Sequence, residues 1–135
     1  MNIMNEHLLK FVTWTKLKIR LHLKSDENCV YFSEREIWWS SLGVNIGYEQ
    51  DGKNDNFERP ILVLRKFSKS LMWALPMTSK DRIGKYYHQF EREGEKYSII
   101  LSQLRLISSK RLLRKIGMIA EDEFEIIREK VKKLI

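Results

Sequence analysis

The chain has 135 residues, enough for one domain. Apolar residues make up 43%, so a sizeable core can be buried; six Gly, two Pro and the single Cys29 exclude a linker-rich or collagen-like chain, an internal disulfide framework and a cysteine-built zinc cage. Lys and Arg number 25 against 18 acids, a net +7 that suits a polyanionic partner without demanding one.

No apolar run reaches the length of a membrane span. Lys10, Lys16, Lys18 and Arg20 break up the apolar residues near the N-terminus, which argues against a signal peptide. A cytoplasmic protein is expected, a setting in which one unpaired cysteine is ordinary. Residues 4–24 fit two periods. Phe11, Trp14, Leu17 and Leu21 lie on one helical face, whereas Leu17, Ile19, Leu21 and Leu23 alternate with basic residues as in a strand. The length of the segment and its lack of Gly and Pro favour a helix. A charged helix of this length is marginal alone in water, so it should dock through Trp14, Leu17 and Leu21. Residues 1–35 are thus read as a helical extension and 36–135 as the main domain.

Short strands follow at Glu36–Leu42, Pro60–Arg65, Leu71–Met77, Tyr86–Glu91, Lys96–Leu101, Leu104–Ile107 and Leu112–Ile119. Arg92-Glu93-Gly94-Glu95 reads as a hairpin turn. Their spacing leaves no room for crossover helices, so the sheet should be antiparallel and curled into a barrel. Phe124, Ile127, Val131 and Leu134 recur at helical spacing near the C-terminus. Glu121, Asp122 and Glu123 favour the start of that helix and Lys132 and Lys133 its end, although Ala120 offers no capping side chain. The fold class is therefore α+β, mainly β, with a helix at each end.

Charge is unevenly distributed. Residues 36–58 carry −4, and residues 59–118 carry fourteen Lys/Arg against four Asp/Glu, +10. The basic stretch is either a solvated surface or a groove for nucleic acid or an acidic protein segment. Between two apolar strands lies the long polar stretch Gly43–Glu58, which has the length of a functional loop. Its net −3 suggests that it lies over the basic surface as a weak gate, since an exposed ion pair is worth only about 0–1 kcal/mol.

Four pieces then occur in order: Glu36-Ile37-Trp38-Trp39, Gly47-x-Glu49-Gln50-x-Gly52, Arg59-Pro60 before Ile61-Leu62-Val63-Leu64, and Pro76-Met77-Thr78-Ser79. Together with Leu101-Ser102-Gln103-Leu104 and the last helix, they resemble the MazF/PemK-like toxins of bacterial toxin–antitoxin systems over about residues 36–135. The resemblance implies a small SH3-like barrel that dimerises, metal-independent cleavage of single-stranded RNA, and inhibition by an antitoxin with an acidic segment. Residues 53–58 lengthen the loop relative to the family, and residues 1–35 have no counterpart in it.

Cleavage through the RNA's own 2′-hydroxyl needs that proton removed, an anionic phosphorane stabilised and the 5′-oxygen protonated. Arg59 suits the second task, because its planar fork places several donors on phosphoryl oxygens. Thr78 can donate its hydroxyl to the same oxygens. Glu49 is either the base, if burial raises its pKa, or the carboxylate that holds Arg59 in place. Gln50 and Ser79, neighbours of these residues in the matched motifs, and Lys80, which follows the last of them, are expected to contact substrate. Gln103 either orients a base or phosphate or bonds within the barrel. Phe57, an aromatic in a polar loop, is a candidate to touch an unstacked base. His88 shares a face with Tyr86 and Phe90 and is read as packed, and the three scattered histidines offer no metal-ligand spacing, so no cofactor is expected. Of Trp38 and Trp39, which face opposite sides of their strand, one should be core. Two readings compete with the ribonuclease: a non-catalytic inhibitor of a protein target, similar to the gyrase-poisoning relatives of this fold, and an RNA-binding module without turnover.

Overall fold

The computed structural model describes residues 2–135. Helix α1 spans Ile3–His22, and Asn2 caps it by accepting the Asn5 N–H at 2.9 Å. Seven strands follow: β1 (Glu36–Ser41), β2 (Glu58–Lys66), β3 (Leu71–Thr78), β4 (Tyr87–Arg92), β5 (Glu95–Ile100), β6 (Arg105–Ser108) and β7 (Leu112–Met118), and then helix α2 (Glu121–Lys132). All pairings are antiparallel, in the order β4-β5-β3-β2-β1-β7. Strand β3 is shared: Leu71–Ala74 pair with β6, and Met77–Thr78 pair with β5. That division, with bulges in β1 against β7, curls the sheet into a half-barrel. The mainly β architecture with terminal helices is the one expected from the strand spacing.

Strand β2 explains its own sequence. Leu62 and Leu64 join the core cluster under α2, whereas Ile61 and Val63 face a second cluster with Phe32, Trp38 and Met72. Both faces are buried, so the strand reads as a continuous apolar run. Trp38 is the core member of the tryptophan pair, and its indole N–H donates to Glu36 Oε1 at 3.1 Å. In the β4–β5 turn both Glu93 and Gly94 have positive φ, as a two-residue hairpin requires. Helix α2 buries Phe124, Ile127 and Val131, and Ala120 makes no side-chain cap, as its sequence implied.

Helix α1 forms where expected and docks through the expected face, but lightly. Only Trp14 is buried; Leu17 and Leu21 are half-buried, and Met4, Leu8, Phe11, Val12 and Ile19 are exposed. The Trp14 indole sits over Gly43, where a Cβ would fall 2.1 Å from the ring. Gly43 also has φ +84, so two independent demands select glycine there. No helix is long and apolar enough to cross a membrane among the described residues.

Candidate active site

Arg59 is the second residue of β2, opposite Ser40 of β1. Its Nε donates to the Asp51 carbonyl oxygen and its Nη1 to the Met77 carbonyl at 3.1 Å. Two backbone acceptors from separate segments thus fix the guanidinium plane. Nη2 has no partner among the described residues. Desolvation holds the Arg59 pKa below its ordinary value, partly offset by the Asp51 carboxylate. Thr78, the last residue of β3, is buried; its Oγ accepts the Lys80 N–H at 3.2 Å, which leaves the hydroxyl proton to donate. Ser98, paired with Thr78 across β5, donates to the Lys80 carbonyl at 2.9 Å and accepts the Arg82 N–H at 3.0 Å. The segment that carries Lys80 and Arg82 is held beside the site in this way.

Arg59 and Thr78 open onto a cavity of about 460 Å³ whose walls include Gln50, Gln103, Lys53, Lys80 and Arg82. Four cationic side chains and no carboxylate line it, so it favours an anion. Arg59 and Thr78 also border a smaller cavity of about 140 Å³ with Trp39, Tyr97, Ser79 and Glu58. Trp39, the half-exposed member of the pair, carries the Arg114 guanidinium 5.0 Å from its ring centre. Arg114 in turn takes both Glu58 carboxylate oxygens, at 2.9 and 3.3 Å.

The structure thus brings together Arg59, Thr78, Gln50, Lys80 and Gln103, with Ser79 alongside. Two candidates fall elsewhere. Glu49 is exposed and accepts the Ile46 N–H at 3.1 Å; it neither lines the Arg59 cavity nor pairs with Arg59, whose anchor is the Asp51 carbonyl. A base role for Glu49 required burial, which it lacks. Phe57 is buried with its ring 5.6 Å from Trp14, so it is not free to stack on a base. Lys53, Arg82 and Tyr87 also line the cavity and were missed. They lie in no motif; Arg82 falls in the basic stretch 59–118, while Lys53, in the acidic loop, and Tyr87 left no trace in the sequence.

The loop is not a movable gate. Phe57 O accepts the N–H groups of Leu42 at 2.9 Å and Gly43 at 3.2 Å, and Gly52 N–H reaches Gly43 O at 2.8 Å. A Cβ on Gly52 would lie 1.6 Å from Phe57 O, so only glycine fits. Gln103 takes the Gln50 N–H at 2.8 Å and donates to Tyr48 O at 3.2 Å, fastening the loop from outside. Of the expected charge pairing only Glu58 with Arg114 forms; the Asp51 and Glu49 carboxylates act on Arg59 and Arg105 through charge alone, without an ion pair. His88 lies apart from the site. Its Nε2 is 3.0 Å from Glu123 Oε1 and its Nδ1 2.9 Å from Lys130 Nζ, tying β4 to α2 as its packed reading implied.

Residues 33–135 match PemK-like, MazF-like toxins of type II toxin–antitoxin systems. The chain belongs to this family. No curated protein matches the toxin. Among solved structures, it is similar to MazF from Deinococcus radiodurans at 19% identity and TM-score 0.62, over 78% of this chain and 96% of that one. It is similar to the Mycobacterium tuberculosis toxin MazF-mt6 at 15% identity and TM-score 0.57, over 73% and 94%. A mycobacterial endoribonuclease in complex with its cognate antitoxin aligns at 10% identity and TM-score 0.55, over 74% and 90%. These three likenesses are of fold. Helix α1 precedes the matched residues.

Proposed function

We propose that the toxin is an endoribonuclease that cleaves single-stranded RNA, mRNA included, by metal-independent transesterification. The observation that carries this reading is the placement of Arg59 and Thr78 on a cavity with four cations and no carboxylate. The 2′-oxygen attacks the adjacent phosphorus and the bond to the 5′-oxygen breaks, leaving a 2′,3′-cyclic phosphate and a 5′-hydroxyl. Arg59 Nη2 and the Thr78 hydroxyl meet the phosphoryl oxygens as their charge grows. Neither carboxylate nor imidazole lines the larger cavity among the described residues. Glu58, which borders the smaller cavity, is held by Arg114, so in this reading the 2′-hydroxyl proton goes to water, and water protonates the 5′-oxygen. The chain contributes position and charge, with Arg59 remaining a cation throughout.

The same cations suit an acidic segment of an antitoxin, which would neutralise the toxin by occupying the site. Antitoxin complexes among the fold neighbours, one mycobacterial and one MazE–MazF pair from Deinococcus radiodurans, support such a partner. A homodimer is part of the same proposal. The test is incubation with a long mixed-sequence RNA in EDTA, comparing the wild type with Arg59→Ala and Thr78→Ala. Cyclic phosphate ends are expected, and each variant should lose them. Strict Mg²⁺ dependence or 5′-phosphate ends would overturn the reading. RNA bound but uncut would leave a binding module, and RNA neither bound nor cut would point to a protein target.

A further inference from the structure

We propose that Arg105, with the cavity around it, is a second phosphate-binding subsite for the same RNA strand, at a nucleotide flanking the cleaved bond. The inference rests on the ribonuclease reading above and extends it to Arg105, which lies in none of the matched motifs, on a cavity whose walls include the motif residues Glu49, Gln50 and Gln103.

Six arginines are partly buried: Arg35, Arg59, Arg92, Arg105, Arg111 and Arg128. Five of them have a partner. Arg35 donates to Ile119 O, Arg59 to Asp51 O and Met77 O, Arg92 to Ile116 O and Arg111 to Ser41 O, while Arg128 lies 3.7 Å from Glu125. The Arg105 guanidinium has neither hydrogen bond nor ion pair among the described residues. A guanidinium withdrawn from water without a partner is costly, and here the cost is visible. Desolvation holds the Arg105 pKa below its ordinary value, with only the charge of Glu49 opposing. Glu49 itself is exposed and occupied by the Ile46 N–H. Arg111 adds a second guanidinium close enough that Arg105 depresses its pKa, after desolvation. Arg105 lines a cavity of about 540 Å³, where it is the one cation and Glu49, without an ion pair to it, the one carboxylate among the described residues.

The position of that cavity identifies the anion. It shares Tyr48, Gln50 and Gln103 with the Arg59 cavity, and the bond from Gln50 N–H to Gln103 Oε1 forms the divide. One groove thus runs from Arg59 and Thr78 over Gln50 to Arg105. On the divide Tyr48 is 99% exposed, and its ring offers a face to a base. Phosphates spaced along a strand, with a base between them, match cation–aromatic–cation in that order. The fork of Arg105 is suited to a phosphate's paired oxygens.

The test measures binding of an uncleavable 2′-O-methyl RNA by fluorescence anisotropy at several salt concentrations, for the full-length wild type, Arg105→Gln and Arg105→Lys. Arg105→Gln should weaken binding about tenfold or more and lower the salt slope by about one; Arg105→Lys should restore part of both. Neutral methylphosphonates placed one at a time should identify one phosphate, away from the cut, whose neutralisation weakens the wild type and leaves Arg105→Gln unchanged. The turnover rate at saturating RNA should be unaltered, and Arg105→Gln should melt no lower than the wild type, since it removes an unpartnered charge. Unchanged affinity and slope, no single responsive phosphate, or a lower melting temperature would overturn the subsite. So would loss of affinity only for an acidic peptide. If Arg105→Gln loses RNA affinity and no protein cuts RNA, the subsite stands and the ribonuclease reading falls. If the wild type cuts RNA and Arg105→Gln behaves identically, the reverse holds. No binding of RNA by the wild type would remove both.

Discussion

The loop at residues 43–58 and helix α1 invert the usual association of regular structure with rigidity. The loop has almost no regular structure, yet its backbone is closed on itself at Gly43, Gly52 and Phe57 and fastened by Gln103. Helix α1 has twenty residues of regular hydrogen bonding and one buried side chain. Local stability follows burial and long-range hydrogen bonds, so the loop belongs to the rigid body and the first half of α1 does not. The two regions meet at one place, where Trp14 packs on Gly43 and Phe57. The loop also supplies the Asp51 carbonyl that orients Arg59, and its rigidity is therefore part of the site.

The largest effect should come from Arg59→Ala. Removing a preorganised donor costs on the order of 2.7–4 kcal/mol in the barrier, about a hundredfold to a thousandfold in rate. The fold should survive, because the partners of Arg59 are carbonyls at the edge of the cavity. Single-turnover cleavage with near-ultraviolet circular dichroism as a control reads both. A variant that cuts at the wild-type rate would separate the ordered loop from catalysis.

Trp14→Ala comes next and tests the one buried side chain of α1, whose last residue also accepts a hydrogen bond from Lys110 at 2.9 Å. Truncating a buried tryptophan costs about 3–5 kcal/mol in a core, and here the loss should fall mainly on α1. Amides of residues 3–22 should exchange at the rate of an unfolded peptide while those of β2 and β3 keep their protection. Protected α1 amides in this variant would mean that something other than Trp14 holds the helix. Gln103→Ala should be smaller, about 1–3 kcal/mol, because it leaves the Gln50 N–H and the Tyr48 carbonyl without their partner. The loss should appear as faster exchange at Gln50 and a rise in the RNA concentration needed for half-maximal cleavage.

What the sequence made legible was local or periodic. The β2 run, the Glu93-Gly94 turn and the α2 stripe each follow from neighbours in the chain. Arg59 and Thr78 stood out through motif resemblance. What stayed hidden depended on distant partners. Phe57 turns inward because Trp14, from a segment outside the motifs, covers it. Glu49 looked like the partner of Arg59, but the acceptor is the backbone of Asp51, and a backbone carbonyl leaves no mark on residue type. Lys53 and Arg82 join the cavity only because the loop and the segment after β3 converge. Arg105 is conspicuous only against the five partly buried arginines that have found acceptors.

The smallest expected effect is also the sharpest test of the comparison. Met4, Leu8, Phe11 and Val12 are apolar, helical and N-terminal to the anchor, and all four are exposed. Residues of this type at helical spacing ordinarily mark a buried face. Leu8 is 60% exposed, so Leu8→Ser should change the stability of the barrel by no more than about 0.5 kcal/mol. A small decrease in helicity is expected as well, since serine is a poorer helix former than leucine by a few tenths of a kcal/mol. Denaturant melts monitored through the tryptophans measure the first effect, and far-ultraviolet circular dichroism measures the second. A loss above 1 kcal/mol that grows with protein concentration would mean that a second copy covers this stripe. The same loss at every concentration would mean that α1 folds back onto its own barrel, and the contrast with the loop would fail.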